Sequence, residues 1–148
     1  MKKARAAFWD SSAVVPLCCK EEYSSLSHRY SRIFSKMVVW WNTPVEMHSA
    51  FQRLLREGSI TQGGFKLAFD LAQRLRERWF EVMPMERVRD LAQECLDQHV
   101  LRAGDALQLA AALFWCREKP KKRPFVCFDP GLAKAAEQRG FDIYTIVL

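Results

Sequence analysis

The sequence predicts an α/β protein, a three-layer α/β/α sandwich on a mostly parallel five-stranded sheet. Three observations lead there. Short β-branched and aromatic runs alternate with helical periodicities along all 148 residues, which is the order of a sheet covered by helices. No Asn-Gly or similar dipeptide joins two strands, so the connections are crossovers rather than tight hairpins. Met37 to Trp41 is apolar at successive positions, as expected of a strand buried on both faces.

Ala6 to Trp9 reads as the first strand, ending on Asp10, and Ser11 and Ser12 can cap a helix through Val14, Val15 and Leu17. Tyr23, Leu26, Tyr30, Ile33 and Phe34 recur at helical spacing. After the second strand, Thr43, Pro44 and Glu46 read as an N-cap, a proline in the first turn and the acid of a capping box. That helix runs to Gly58. Thr61 can cap the next, with Phe65, Ala68, Leu71, Ala72 and Leu75 inward, although Gly63 and Gly64 blur its start. Trp79 to Met83 is a strand stopped by Pro84, and Val88, Leu91, Ala92, Cys95 and Leu96 mark one face of a helix. Leu101 to Trp115 is apolar nearly all round, hence a buried central helix. Beyond the basic linker from Arg117 to Pro124, Phe125 to Phe128 is a strand ending on Asp129. Leu132 to Arg139 is a helix closed by Gly140, and Phe141 to Leu148 is the last strand.

The length suits one domain spanning residues 1–148. A formal net charge of +6 favours anionic partners such as nucleic acid. The five cysteines are odd in number and lack C-x-x-C spacing, which argues against a disulfide framework or zinc ribbon and for the reducing cytoplasm. Lys2, Lys3 and Arg5 resemble the start of a signal peptide, but Asp10 cuts short the apolar run that would have to follow. No apolar run approaches the ~20 residues that span a bilayer.

Four acids occupy similar places: Asp10 after the first strand, Glu46 and Asp105 in first turns of helices, and Asp129 after the fourth strand. Ligands of open parallel sheets collect at the carboxyl ends of the strands. Each acid also has a plain structural role, as a turn residue, half of a capping box or an anion at a helix start. Carboxylates gathered closely cannot all stay ionised without a cation, and an all-oxygen donor set suits Mg²⁺ or Mn²⁺.

The segments Trp9 to Val15, Pro44 to Ala50, Leu101 to Ala110 and Phe128 to Ala136 resemble the four acidic blocks of the PIN domain, in order and spacing over essentially the whole chain. They are most similar to single-domain toxins of the VapC type. The resemblance implies a PIN-like sandwich and Mg²⁺- or Mn²⁺-dependent RNA cleavage with Asp10, Glu46, Asp105 and Asp129 as catalytic residues. Asp10, Asp105 and Asp129 would hold metal, while Glu46 would ligate through water or orient the attacking hydroxide. Ser11 would add a hydroxyl near the phosphate or serve only as a cap. An antitoxin would be the partner, and a homodimer is compatible with the pattern. Cys127 departs from it, standing where many relatives carry Thr or Ser.

Lys121, Lys122 and Arg123 are read two ways, as a grip on an RNA backbone or as a solvated loop. The tryptophans lie in apolar runs and are assigned to core or interface. Two rival functions fit the same residues: a non-catalytic or weakly active RNA-binding module of the same fold, and another Mg²⁺-dependent phosphohydrolase with an acidic pocket. A haloacid-dehalogenase-like phosphatase would need D-x-D where Asp10 is followed by two serines, and no G-x-x-x-x-G-K-[ST] loop is present.

Overall fold

Residues 4–146 are described by a computed structural model of the chain. Its elements are β1 (Ala6–Trp9), α1 (Ser11–Cys18), α2 (Ser24–Ile33), β2 (Lys36–Trp40), α3 (Thr43–Arg56) and α4 (Gln62–Arg76). There follow β3 (Phe80–Val82), α5 (Glu86–Gln98), α6 (Ala103–Trp115), β4 (Pro124–Val126), α7 (Pro130–Arg139) and β5 (Asp142–Tyr144). The strands lie in the order β3-β2-β1-β4-β5, and every pair is parallel.

Alternation along the strands creates the three layers, because successive side chains leave a strand on opposite faces. Phe8, Val38 and Phe125 enter one core with Val88, Leu91, Leu109, Leu113 and Leu132, which belong to α5, α6 and α7. Ala7, Trp9, Val39 and Val126 enter the other with Val14, Met47, Phe51 and Ala68, which belong to α1, α3 and α4. Burying a side chain such as Phe8 stabilises by about 1.5–3 kcal/mol. From Gln108 to Leu113 every residue of α6 is buried, as its lack of a polar face requires.

Several boundaries differ from the sequence expectation. β2 ends at Trp40, and Trp41 emerges 46% exposed, so it is not core. β4 stops at Val126, since the chain must turn to bring Asp129 to the start of α7. Leu96, expected inward, is 42% exposed. β5 ends at Tyr144; the rest of the expected last strand includes Val147 and Leu148, which lie outside the described residues, as do Lys2 and Lys3.

Two caps also differ. Asp10, not Ser11 or Ser12, is the N-cap of α1, because its carboxylate accepts from Ser12 N. The N-cap of α3 is Asn42, with no side-chain cap hydrogen bond. Thr43 instead lies fully buried against α6, accepting from Gln108 Nε2 at 3.2 Å, and Glu46 turns toward the same amide instead of back to a cap N–H. Thr61 does cap α4, accepting from Gly64 N at 3.0 Å. Among the described residues no helix is long and apolar enough to cross a membrane.

Candidate active site

The strand order fixes where the site lies. From central β1 the chain crosses to β2 and β3 on one side, then returns to β4 and β5 on the other. A crevice therefore opens beyond the carboxyl ends of β1 and β4, the switch point at which such sheets hold ligands. Asp10 and Asp129 stand on either side of it. The Asp10 N–H donates to Val126 O at 3.0 Å, and Phe128 N donates to Ser12 Oγ at 2.9 Å, so the two strand exits are tied together.

Both aspartates divide their carboxylates between fold and site. Asp10 Oδ2 accepts from the backbone N and the hydroxyl of Ser12, and Asp129 Oδ1 accepts from Leu132 N at 3.0 Å as the N-cap of α7. The Ser12 and Leu132 bonds leave the second oxygen of each carboxylate uncommitted to them. The structural role and the clustering thus coexist. Asp105, in the first turn of α6, and Glu46, in the first turn of α3, complete the set. All four acids, with Ser11, line one cavity of about 340 Å³.

Burial and neighbouring carboxylates act together on Asp10, Glu46 and Asp105. Burial, opposed in part by the Ser12 hydrogen bonds and reinforced by Asp129, raises the Asp10 carboxyl above its ordinary range. Burial first, then Asp10 and Asp105, lift Glu46 to about 7, while the Gln108 amide and the Ser11 hydroxyl pull it down. Asp105 is pushed up to about 6 by burial, then by Asp129 and Asp10, with Arg102 opposing. Like charges held this closely favour protonation or a cation.

The donor chemistry fits a hard divalent ion: oxygen ligands, mutual repulsion to be relieved, and carboxylate oxygens not committed to the caps. Among the described residues no group of three His, Cys, Asp or Glu side chains forms a ready metal-binding cluster. The fit is therefore one of donor type and charge, and the carboxylates would have to draw together around an ion.

Cys127 intrudes on this site. Its fully buried thiol lies 3.7 Å from Asp10 Oδ2 and 3.4 Å from Asp129 O. Burial and then Asp10 hold its pKa well above the usual thiol value, so it stays a neutral, weak donor.

The basic linker does not reach the cavity. It precedes β4, whereas Asp129 follows it, so Lys121, Lys122 and Arg123 sit at the opposite end of the sheet. There the Arg123 guanidinium lies 4.3 Å from the centre of the Trp115 ring.

The structure adds to the site three residues that had no assigned role there. Gln108 is fully buried and donates through Nε2 to Glu46 Oε1 and Oε2 at 3.1 and 3.0 Å, leaving its own Oε1 without a partner. Arg53 and Tyr23 also line the cavity. The first two had a signal. Gln108 follows Asp105 by three residues, and Arg53 follows Glu46 by seven, which places each pair on one helix face. Tyr23, in the α1–α2 connection, had none. A larger groove of about 600 Å³ runs between α1 and α4, with Leu17, Ile60, Leu67 and Leu71 in its walls. It contains none of the four acids, so chemistry places the candidate site in the smaller cavity.

No family model and no curated protein matches the sequence. Among solved structures, the chain is similar to a chain of FitAB bound to an IR36 DNA fragment, with a TM-score of 0.62 and 12% identity over 94% of each chain. At that identity the likeness shows the fold, which is the PIN-like α/β/α sandwich.

Proposed function

We propose that this protein is a metal-dependent endoribonuclease of the PIN type, acting as the toxin of a toxin–antitoxin pair in the cytoplasm. One observation carries the reading: four carboxylates from four separate parts of the chain line one cavity at the switch point of a parallel sheet. The fold shared with a chain of the FitAB assembly supports it, and suggests an antitoxin as the protein partner. RNA is the proposed substrate, with Mg²⁺ or Mn²⁺ as cofactor.

Asp10, Asp105 and Asp129 would hold the ion. Its chemistry, when bound, would be to lower the pKa of a water and to stabilise charge on the phosphate. Glu46 is assigned the proton. Raised to about 7, its carboxyl is matched to a group that accepts a proton from attacking water near neutral pH. Gln108 orients it by donating to both oxygens, and Ser11 Oγ is 3.5 Å from Oε1, so the Ser11 hydroxyl is read as a cavity contact instead of a cap.

Cys127 favours a second reading, a weakly active RNA-binding module, since a thiol stands against Asp10 where a hydroxyl would bond better. The deciding experiment is cleavage of single-stranded RNA by purified protein with Mg²⁺, with Mn²⁺ and with EDTA, alongside Asp10→Asn and Asp105→Asn. Activity with either ion, abolished by EDTA and by both substitutions in folded protein, is the expected result. Cleavage that survives in both variants would sink the assignment.

A further inference from the structure

The acidic cavity poses a problem for the substrate proposed above. RNA is a polyanion, and five carboxylates line the cavity: Asp10, Glu21, Glu46, Asp105 and Asp129. Metal would offset part of that charge at the cleaved phosphate. The neighbouring phosphates still need a cation from the protein, and the linker lysines lie at the far end of the sheet. Among the lining residues the basic side chain is Arg53. It extends from α3 seven residues, about 10 Å along the helix axis, beyond Glu46 on the same face. Its side chain is 61% exposed, and its ion pair with Glu57, at 4.0 Å, is long enough to yield to a phosphate. Glu21 faces it as well, and the guanidinium opposes the rise that burial imposes on the Glu21 carboxyl.

Tyr23 lines the same cavity and offers an aromatic surface. Tyr23 is half-buried and packs edge-to-face on buried Phe128, with ring centres 6.0 Å apart at 65°. Phe128 adjoins Asp129, so this ring is braced by the segment that carries a proposed ligand. A half-exposed ring held by a buried one is a ready stacking platform, and a base stacks on such a ring whatever its identity.

Resting on the ribonuclease reading, we infer that Arg53 and Tyr23 form a nucleotide subsite at the cavity mouth. Arg53 takes a phosphate next to the cleaved one, and Tyr23 stacks a base of single-stranded RNA. The subsite sets where the strand enters, and its base stacking gives little sequence preference.

Binding separates this inference from the catalytic reading. A fluorescein-labelled single-stranded oligoribonucleotide is titrated against full-length protein with Mg²⁺, in an Asp129→Asn background that prevents turnover, over a series of KCl concentrations. Arg53→Gln is expected to flatten the plot of log affinity against log salt by about 0.7, while Arg53→Lys keeps the slope. Tyr23→Leu should weaken binding roughly five- to hundredfold, while Tyr23→Phe stays near the parent. Neutralising Lys121, Lys122 and Arg123 together should leave the slope unchanged. An unchanged slope in Arg53→Gln, or equal losses in Tyr23→Phe and Tyr23→Leu, overturns the subsite. So does a slope that falls for the linker variant alone. Should the wild type bind in this manner yet cleave nothing, the subsite stands and the ribonuclease reading falls.

Discussion

In the proposed reaction Cys127 and Gln108 would act in opposite directions. The thiol of Cys127 offers Asp10 a contact of 3.7 Å where a hydroxyl could make a full hydrogen bond. Cys127→Ser is therefore expected to raise kcat about two- to tenfold, the worth of one ordinary hydrogen bond, with the same metal requirement; a fall in kcat in folded protein would remove Cys127 from the account. Gln108 donates to a carboxylate, and such bonds are stronger. Gln108→Met keeps length and apolar stem but deletes the amide, so kcat should fall roughly ten- to hundredfold while KM changes little. Steady-state kinetics on variants with native circular dichroism would check both. At this scale the four acids were legible in the sequence, and their local partners were not. Asp10 and the two serines after it are all good caps, and only the backbone geometry shows that the carboxylate took the role. The Thr-Pro-Val-Glu capping box failed for a tertiary reason, since Thr43 and Glu46 both turn to a buried amide 60-odd residues away.

Helix ends carry the elements into place, and two glycines separate their uses. Gly140 closes α7 at φ 109°, and a Cβ there would lie 3.4 Å from Pro120 Cγ. Gly140→Ala should cost about 1–2 kcal/mol of stability, the penalty of a left-handed backbone for an L side chain. Gly104 sits in the first turn of α6 with open space around it. Gly104→Ala should stabilise by up to about 1 kcal/mol by restricting the unfolded chain. Urea melts of the pair would check this, and a stabilising Gly140→Ala would refute the capping argument. Element identity was legible because patterning survives folding: α2, α4 and α5 follow apolar residues three and four apart, and α6 a run that is apolar on all sides. Ends were less so, and Trp41 shows why. It continues an apolar run in the sequence, yet the strand has already ended beside it.

For the molecule as a whole, the acidic cavity opposes folding, and the proposed cation would offset that cost. Glu46 rises from 4.5 to about 7 and Asp105 from 3.8 to about 6 on folding. Between about pH 4 and 7 the folded chain thus holds more protons than the unfolded one, so metal-free stability falls as pH rises through that window. Above it the repulsion is fully present. Melts in EDTA should show a higher Tm at pH 5 than at pH 8, and Asp105→Asn should flatten the difference. Mg²⁺ at a hundredfold excess over its Kd should stabilise the wild type by about 2.7 kcal/mol, and the variant by less. Asp105→Asn is therefore expected above the wild type in EDTA, with the gap closing or reversing as Mg²⁺ rises. Parallel curves with the wild type always higher would return Asp105 to a helix-end anion.

The direction of the strands was legible in the sequence, and it puts a segment before a parallel strand and a residue after it at opposite ends of the sheet. Arg5, Lys36, Arg78 and Arg123 stand at or just before the starts of β1 to β4, while Asp10 and Asp129 follow the ends of β1 and β4. A chain with a net charge of +6 thus carries cations at the starts of four strands, with Asp142 at the start of β5 the exception, and acids at the ends of two. For a polyanion nearby, those strand starts attract and the acidic mouth repels. Attraction at long range and entry at short range are governed by opposite ends of one molecule, so added salt, which weakens the first, also removes a bias against the second.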